Sequence, residues 1–130
     1  MRCVVVRMAL TAVLVCVAAL AAQAQAVKLS GDEIRALLTG NTAIGRWQGA
    51  KYRQYFGNDG ITIYAQEGAR STRGEWRIDN DLQEYQSIWP RDEAWEGWFV
   101  MSLGDTLYWV SRSTPPTPFQ ILDGQQLVPE

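Results

Sequence analysis

The sequence contains no histidine, and its only two cysteines, Cys3 and Cys16, lie in an apolar N-terminal run. The rest of the chain therefore has no Ser-His-Asp triad, thiolate nucleophile, usual zinc site or His- or Cys-ligated haem. Lysine is nearly missing as well: Lys28 and Lys51 are the only two, and neither stands in a Ser-Lys motif. No G-x-G-x-x-G occurs and strands do not alternate with helices, which excludes a doubly wound nicotinamide-dependent reductase. Positive charge is scarce. Of 12 Lys and Arg, Arg2 and Arg7 lie near the N-terminus, so residues 27–130 hold ten against 14 Asp and Glu, a formal charge of −4. A nucleic-acid binder is normally basic, so no nucleic acid is expected as partner.

The N-terminus reads as a cleavable export signal. Arg2 and Arg7 precede an uncharged apolar run over 8–22, and Ala24 and Ala26 supply small residues at the −3 and −1 positions of an A-x-A cleavage site. The run is shorter than the roughly 20 residues needed to span a bilayer. Cys16 follows Val15, not a small residue, which argues against a lipid-modified cysteine. Cleavage after Ala26 leaves one small domain over 27–130, secreted or periplasmic, with no integral membrane segment. It has no cysteine to oxidise, so burial and hydrogen bonds alone must hold it together.

All six Trp, five Tyr and three Phe fall in 27–130. This is a globular, β-type composition. Ser30-Gly31-Asp32-Glu33 forms a capping box for a helix over 31–39, with Ile34, Leu37 and Leu38 on one face and Gly40 as its left-handed stop. Beyond Asn41 the period changes: aromatic and β-branched runs are separated by turn residues every 8 to 12 positions. Strands are expected at 42–47, 51–56, 61–66, 71–78, 83–89, 95–103, 106–112 and 119–122. The turns at 57–60, 79–81 and 104–105 join consecutive hairpins. The fold class is thus mainly β, a short N-terminal helix packed on a strongly twisted antiparallel meander or a small barrel of about eight strands. The segment 113–118, rich in Pro, is expected to be irregular. The strand at 95–103 is apolar on both faces, Trp95, Phe99, Met101 and Leu103 on one and Trp98 and Val100 on the other. It needs two covers, and the helix is expected to lie across it or to plug one barrel end.

The run from Leu29 to Ile34, Gly40-Asn41-Thr42, Asn58-Asp59-Gly60, Gly74-Glu75-Trp76 and Trp89-Pro90 resembles a family of small secreted bacterial proteins with an N-terminal helix and a Trp-rich β-meander. The resemblance covers nearly all of 27–130, and its motifs are caps, turns and core aromatics, which bear on architecture more than on activity. It implies export and brings no catalytic residue with it. Members of that family often carry two cysteines that would align with Gln86 and Gly97. The resemblance therefore implies that this chain has lost a hairpin disulfide worth roughly 2 to 4 kcal/mol.

The densest functional stretch is 89–98, with Trp89, Trp95, Trp98, Arg91, Asp92, Glu93 and Glu96. Aromatic faces beside charged hydrogen-bonding groups suit a glycan, and the same pattern would arise from a hairpin whose Trp side chains fill the core. Asp79-Asn80-Asp81, with Asp59 or Asp123 as distant help, lacks the one-in-two spacing and bidentate Glu of a calcium loop and is explained by turn chemistry. Gly74-Glu75-Trp76 looks like the Gly-x-Trp of lipocalin-like barrels displaced to mid-chain, and it also fits a core Trp beside a Gly of close strand approach. The leading expectation is a non-enzymatic exported binding domain with no cofactor or metal. Its partner would be an envelope protein, a glycan or a small amphipathic ligand, and its candidate site residues are Trp89, Arg91, Trp95, Trp98, Tyr64 and Tyr108. The alternatives are a barrel carrying a small apolar or sugar ligand in its interior and a carboxylate-dependent hydrolase using Glu93 or Glu96.

Overall fold

The computed structural model describes residues 25–128, so the export signal expected over 1–26 lies, apart from its last two residues, outside the described residues. Within them no helix is long and apolar enough to cross a membrane.

The elements run β1 (Val27–Lys28), α1 (Gly31–Leu38), β2 (Thr42–Trp47), β3 (Ala50–Phe56), β4 (Ile61–Gln66), β5 (Thr72–Asp79), β6 (Glu84–Ile88), β7 (Glu96–Leu103), β8 (Thr106–Val110) and β9 (Thr117–Leu122). The capping box is formed on both sides. Ser30 Oγ accepts from the Glu33 amide at 3.1 Å, and the Glu33 carboxylate accepts from the Ser30 amide at 3.1 Å. Those bonds hold the Glu33 carboxyl below its usual range. At the other end Gly40 takes φ 75° and donates to Phe56 O at 2.7 Å, tying the helix stop to the end of β3.

Strands β2 to β9 form an antiparallel meander that closes when β9 pairs with β2 (Gly45↔Phe119 to Thr42↔Leu122), giving an eight-stranded barrel. Closure removes the long unpaired edges an open meander would expose. A ninth strand, β1, was not foreseen. It pairs with β7 at Val27↔Ser102 and Lys28↔Met101, just past the point where β6 stops pairing. Two residues carry too little pattern to read as a strand.

Turn chemistry sets the hairpins. Asp59 Oδ1 accepts from the Ile61 amide at 3.0 Å, and Asp79 Oδ1 accepts from the amides of Asp81 and Leu82 at 2.9 Å. The Pro-rich segment is less irregular than expected, because Thr117 and Pro118 belong to β9. Pro118 pairs with Tyr108 of β8 at a position where pairing to β2 has already ended, so β9 is an edge there and tolerates a residue without N–H.

Registry fixes which side chains face inward. Around the ring the pairs Gly45↔Tyr52, Gln54↔Tyr64, Thr62↔Gly74, Trp76↔Ser87, Tyr85↔Trp98, Val100↔Trp109 and Leu107↔Phe119 share one face, and that face is the interior. The end of the barrel bearing the turns at 57–60, 80–83 and 104–105 is plugged by α1. Ile34 and Leu38 are fully buried there with Phe56 and Val100, beside the buried Ile78, and each of the two contributes roughly 2 to 3 kcal/mol of burial. The helix start is seated on the β5–β6 turn, where the Gly31 amide donates to Gln83 Oε1 at 2.7 Å. A Cβ on Gly31 would stand 2.9 Å from Ile78 Cγ2. The helix is therefore a plug. It does not cover the outer face of β7, where Lys28 Nζ sits 4.0 Å above the Phe99 ring instead.

Candidate functional site

At the end opposite the helix the barrel is open, and its interior widens into a cup of about 440 Å³. The cup is lined by inward residues of seven strands together with two rim positions. Trp47 from β2, Tyr52 and Gln54 from β3, Tyr64 and Gln66 from β4, Thr72 from β5, Tyr85 and Ser87 from β6, Glu96 and Trp98 from β7 and Trp109 from β8 all face it, with Gln48 and Trp89 at the rim.

The aromatic walls form two edge-to-face pairs. Trp47 reaches over the intervening β9 and β8 to meet Trp98 at 5.8 Å between centroids and 80° between planes. Tyr64 and Trp89 meet at 6.1 Å and 74°, spanning β5. This second contact depends on Gly74: a Cβ there would lie 2.6 Å from Trp89 Cε3 and 2.7 Å from Ile88 O. Gly74 thus allows the close approach that its sequence context suggested, and Trp76 two residues on lies in the plugged half, where its Nε1 donates to Gly57 O at 2.9 Å.

The floor is a closed hydrogen-bond network. Gln54 Nε2 donates to Thr62 Oγ1 and to Tyr85 Oη at 3.0 Å, Thr62 Oγ1 donates to Tyr55 O at 2.8 Å, and Trp109 Nε1 donates to Tyr52 Oη at 3.2 Å. No buried side-chain N or O of the described residues lacks a partner. Burial pushes the Tyr52 phenol up to about 12. It raises Tyr85 further, with hydrogen bonds from Ser87 and Gln54 opposing and the nearby Glu96 carboxylate adding to the rise. Burial also raises Tyr64.

Of the residues singled out from sequence, Tyr64, Trp89 and Trp98 come together in the cup. Trp95 stands on the outer face, stacked 4.0 Å from the Arg77 guanidinium, which also donates to Gln86 at 2.7 Å. Tyr108 faces outward, and Arg91 sits exposed at φ 77° in the rim turn that Asp92 closes by accepting from the Trp89 amide at 2.9 Å. Glu96 takes an inward register position on β7 but is itself exposed at the mouth of the cup, and Glu93 is an exposed rim residue. The sequence reading missed Trp47, Tyr52, Tyr85 and Trp109 as cup residues. Strict alternation with Ala43 and Gly45 would have found Trp47. Gln86 and Gly97, which the resemblance aligns with cysteines, stand directly opposite each other on β6 and β7.

A second, larger concavity of about 880 Å³ follows the outside of β2 and β3, where Ile44, Arg46, Lys51 and Arg53 alternate outward and Leu127 of the C-terminal segment lies beside them. Arg53 is already engaged there, donating to Gln126 O at 2.8 Å. The cup is the better candidate despite its smaller size, since side chains from seven of the eight barrel strands converge on it.

Comparison with known family models, curated proteins and solved structures gives no match for this chain. Its function must be argued from the cup itself.

Proposed function

We propose that the protein is an exported binding protein that takes one small amphipathic molecule into the open end of its barrel. The observation that carries this reading is the cup itself: about 440 Å³, walled by Trp47, Tyr64, Trp89 and Trp98, with polar groups on its floor. That volume is within the range of small-molecule sites, and aromatic walls with a few polar groups are their usual lining. A closed floor supports a carrier better than a catalyst. Glycosidic acid/base chemistry needs two carboxylates about 5 to 10 Å apart, and Glu96 is the single carboxylate among the residues lining the cup.

The test is tryptophan emission of the purified protein titrated with choline, indole, 3-phenylpropionate and N-acetylglucosamine. At least one should give a saturable change that Trp98→Ala weakens about tenfold or more, as expected for the loss of a packed aromatic anchor. Trp95→Ala, on the outer face, should leave that change intact. No saturable change with any of the four, or equal loss in Trp95→Ala, overturns the reading.

A further inference from the structure

We infer that the cup selects an organic cation, an amine or quaternary ammonium, over neutral and anionic molecules of the same shape. This rests on the reading of the cup as a ligand site and adds the chemical class.

Three observations point the same way. First, the walls are aromatic: Trp47 and Trp98 form one edge-to-face pair, Tyr64 and Trp89 another, and Tyr52 stacks on Tyr64, all lining one space. Aromatic faces carry negative quadrupole potential, and several of them around one volume attract a cation that has little to gain from hydrogen bonds. Second, the lining holds one charged side chain, the Glu96 carboxylate, exposed at the mouth of the cup, and no Lys or Arg. Its field reaches inside, because it contributes to the rise of the Tyr85 phenol on the neighbouring strand.

Third, the positive charges are placed elsewhere. Arg46, Lys51, Arg53, Arg73 and Arg77 stand at outward positions of the barrel strands. Arg70, Arg91 and Arg112 are exposed in rim loops, where solvent and salt screen them. An anionic ligand would enter a site with a carboxylate and no counter-charge. A saccharide would call on hydrogen-bonding groups at each hydroxyl, and the amide of Gln54 on the floor is already committed to Thr62 and Tyr85. A quaternary ammonium needs neither.

The experiment compares choline with 3,3-dimethylbutan-1-ol, its neutral isostere in which carbon replaces the charged nitrogen, by tryptophan emission and calorimetry on the purified protein. Choline should bind about tenfold tighter than the alcohol, the size expected of a partly desolvated cation–π site aided by one carboxylate. Glu96→Gln should reduce choline affinity severalfold and leave the alcohol within about twofold, because only the cation feels the charge. Trp95→Ala should change neither, and a near-native thermal transition for Glu96→Gln separates loss of charge from loss of fold. Equal affinity for the two probes, or equal effects of Glu96→Gln on both, overturns the cation inference. If that happens while 3-phenylpropionate or N-acetylglucosamine binds saturably, the cup remains a ligand site and only its class changes. If nothing binds, the underlying reading falls with it.

Discussion

Gly74→Ala tests the packing on which one wall of the cup depends. The added Cβ would stand 2.6 Å from Trp89 Cε3 and 2.7 Å from Ile88 O. The ring can swing toward solvent, but the carbonyl belongs to the strand that pairs with β5 and cannot move alone. Overpacking of this kind costs about 1 to 3 kcal/mol. The reduced entropy of the unfolded chain returns roughly 0.4 to 1 kcal/mol. At the midpoints the net loss is about 1.3 kcal/mol, a fall in Tm of roughly 5 to 10 °C for a domain near 100 residues. Trp89→Ala removes one of the two clashes, so Gly74→Ala should cost less in that background, and a double-mutant cycle measures the difference. The assay is thermal unfolding followed by circular dichroism, with tryptophan emission reporting the displaced indole. A Gly74→Ala protein as stable as the parent, with unchanged emission and no coupling to Trp89, refutes the claim that this ring is held over a bare strand.

Leu38→Ala should cost about 2 to 5 kcal/mol by leaving a cavity between the helix and Phe56, since Leu38 is fully buried at the plug; chemical denaturation measures it, and a loss under 1 kcal/mol would mean that the helix is not a plug. Tyr52, raised to about 12, and Tyr85, raised in the same direction, favour the protonated phenol in the folded state. The contribution of Tyr52 to stability is therefore fully present below the ordinary value near 10 and lost as pH rises through about 12, and that of Tyr85 is lost in the same direction. Absorbance at 295 nm should show these phenols resisting ionisation near pH 11 until the barrel opens. Gln86→Cys with Gly97→Cys should form a cross-strand disulfide under air and raise stability by roughly 2 to 3 kcal/mol, less what is lost with the Gln86 bonds to Arg77 and Glu84 and with the shift of the Glu84 carboxylate away from the new Cβ. Failure to cross-link would place these residues out of register.

The strand positions were legible because turns and alternation are local. Asp59, Asp79 and Gly104 mark hairpins by their own backbone chemistry, and the strands lie within two residues of expectation except β1, which has no pattern to show. The capping box was legible for the same reason. The site was only half legible, because membership of the cup depends on registry and on closure. Trp95 and Trp98 are three residues apart and so fall on opposite faces of a strand; alternation alone forbade both from sharing one pocket. Trp47 and Trp98 meet across two intervening strands, a contact that exists only because β9 returns to β2. Nothing local announces such a pair.

The central claim, that ligands enter the open end and not the outer wall, is tested most directly by the six tryptophan indole N–H resonances of the protein titrated in turn with choline, indole, 3-phenylpropionate and N-acetylglucosamine. With at least one of them, the resonances of Trp47, Trp89, Trp98 and Trp109, which line the cup, should shift saturably. Those of Trp76, bonded to Gly57 O at the plugged end, and Trp95, stacked on Arg77 outside, should stay in place. Shifts confined to Trp95 or Trp76, or no shift at all, would contradict the account.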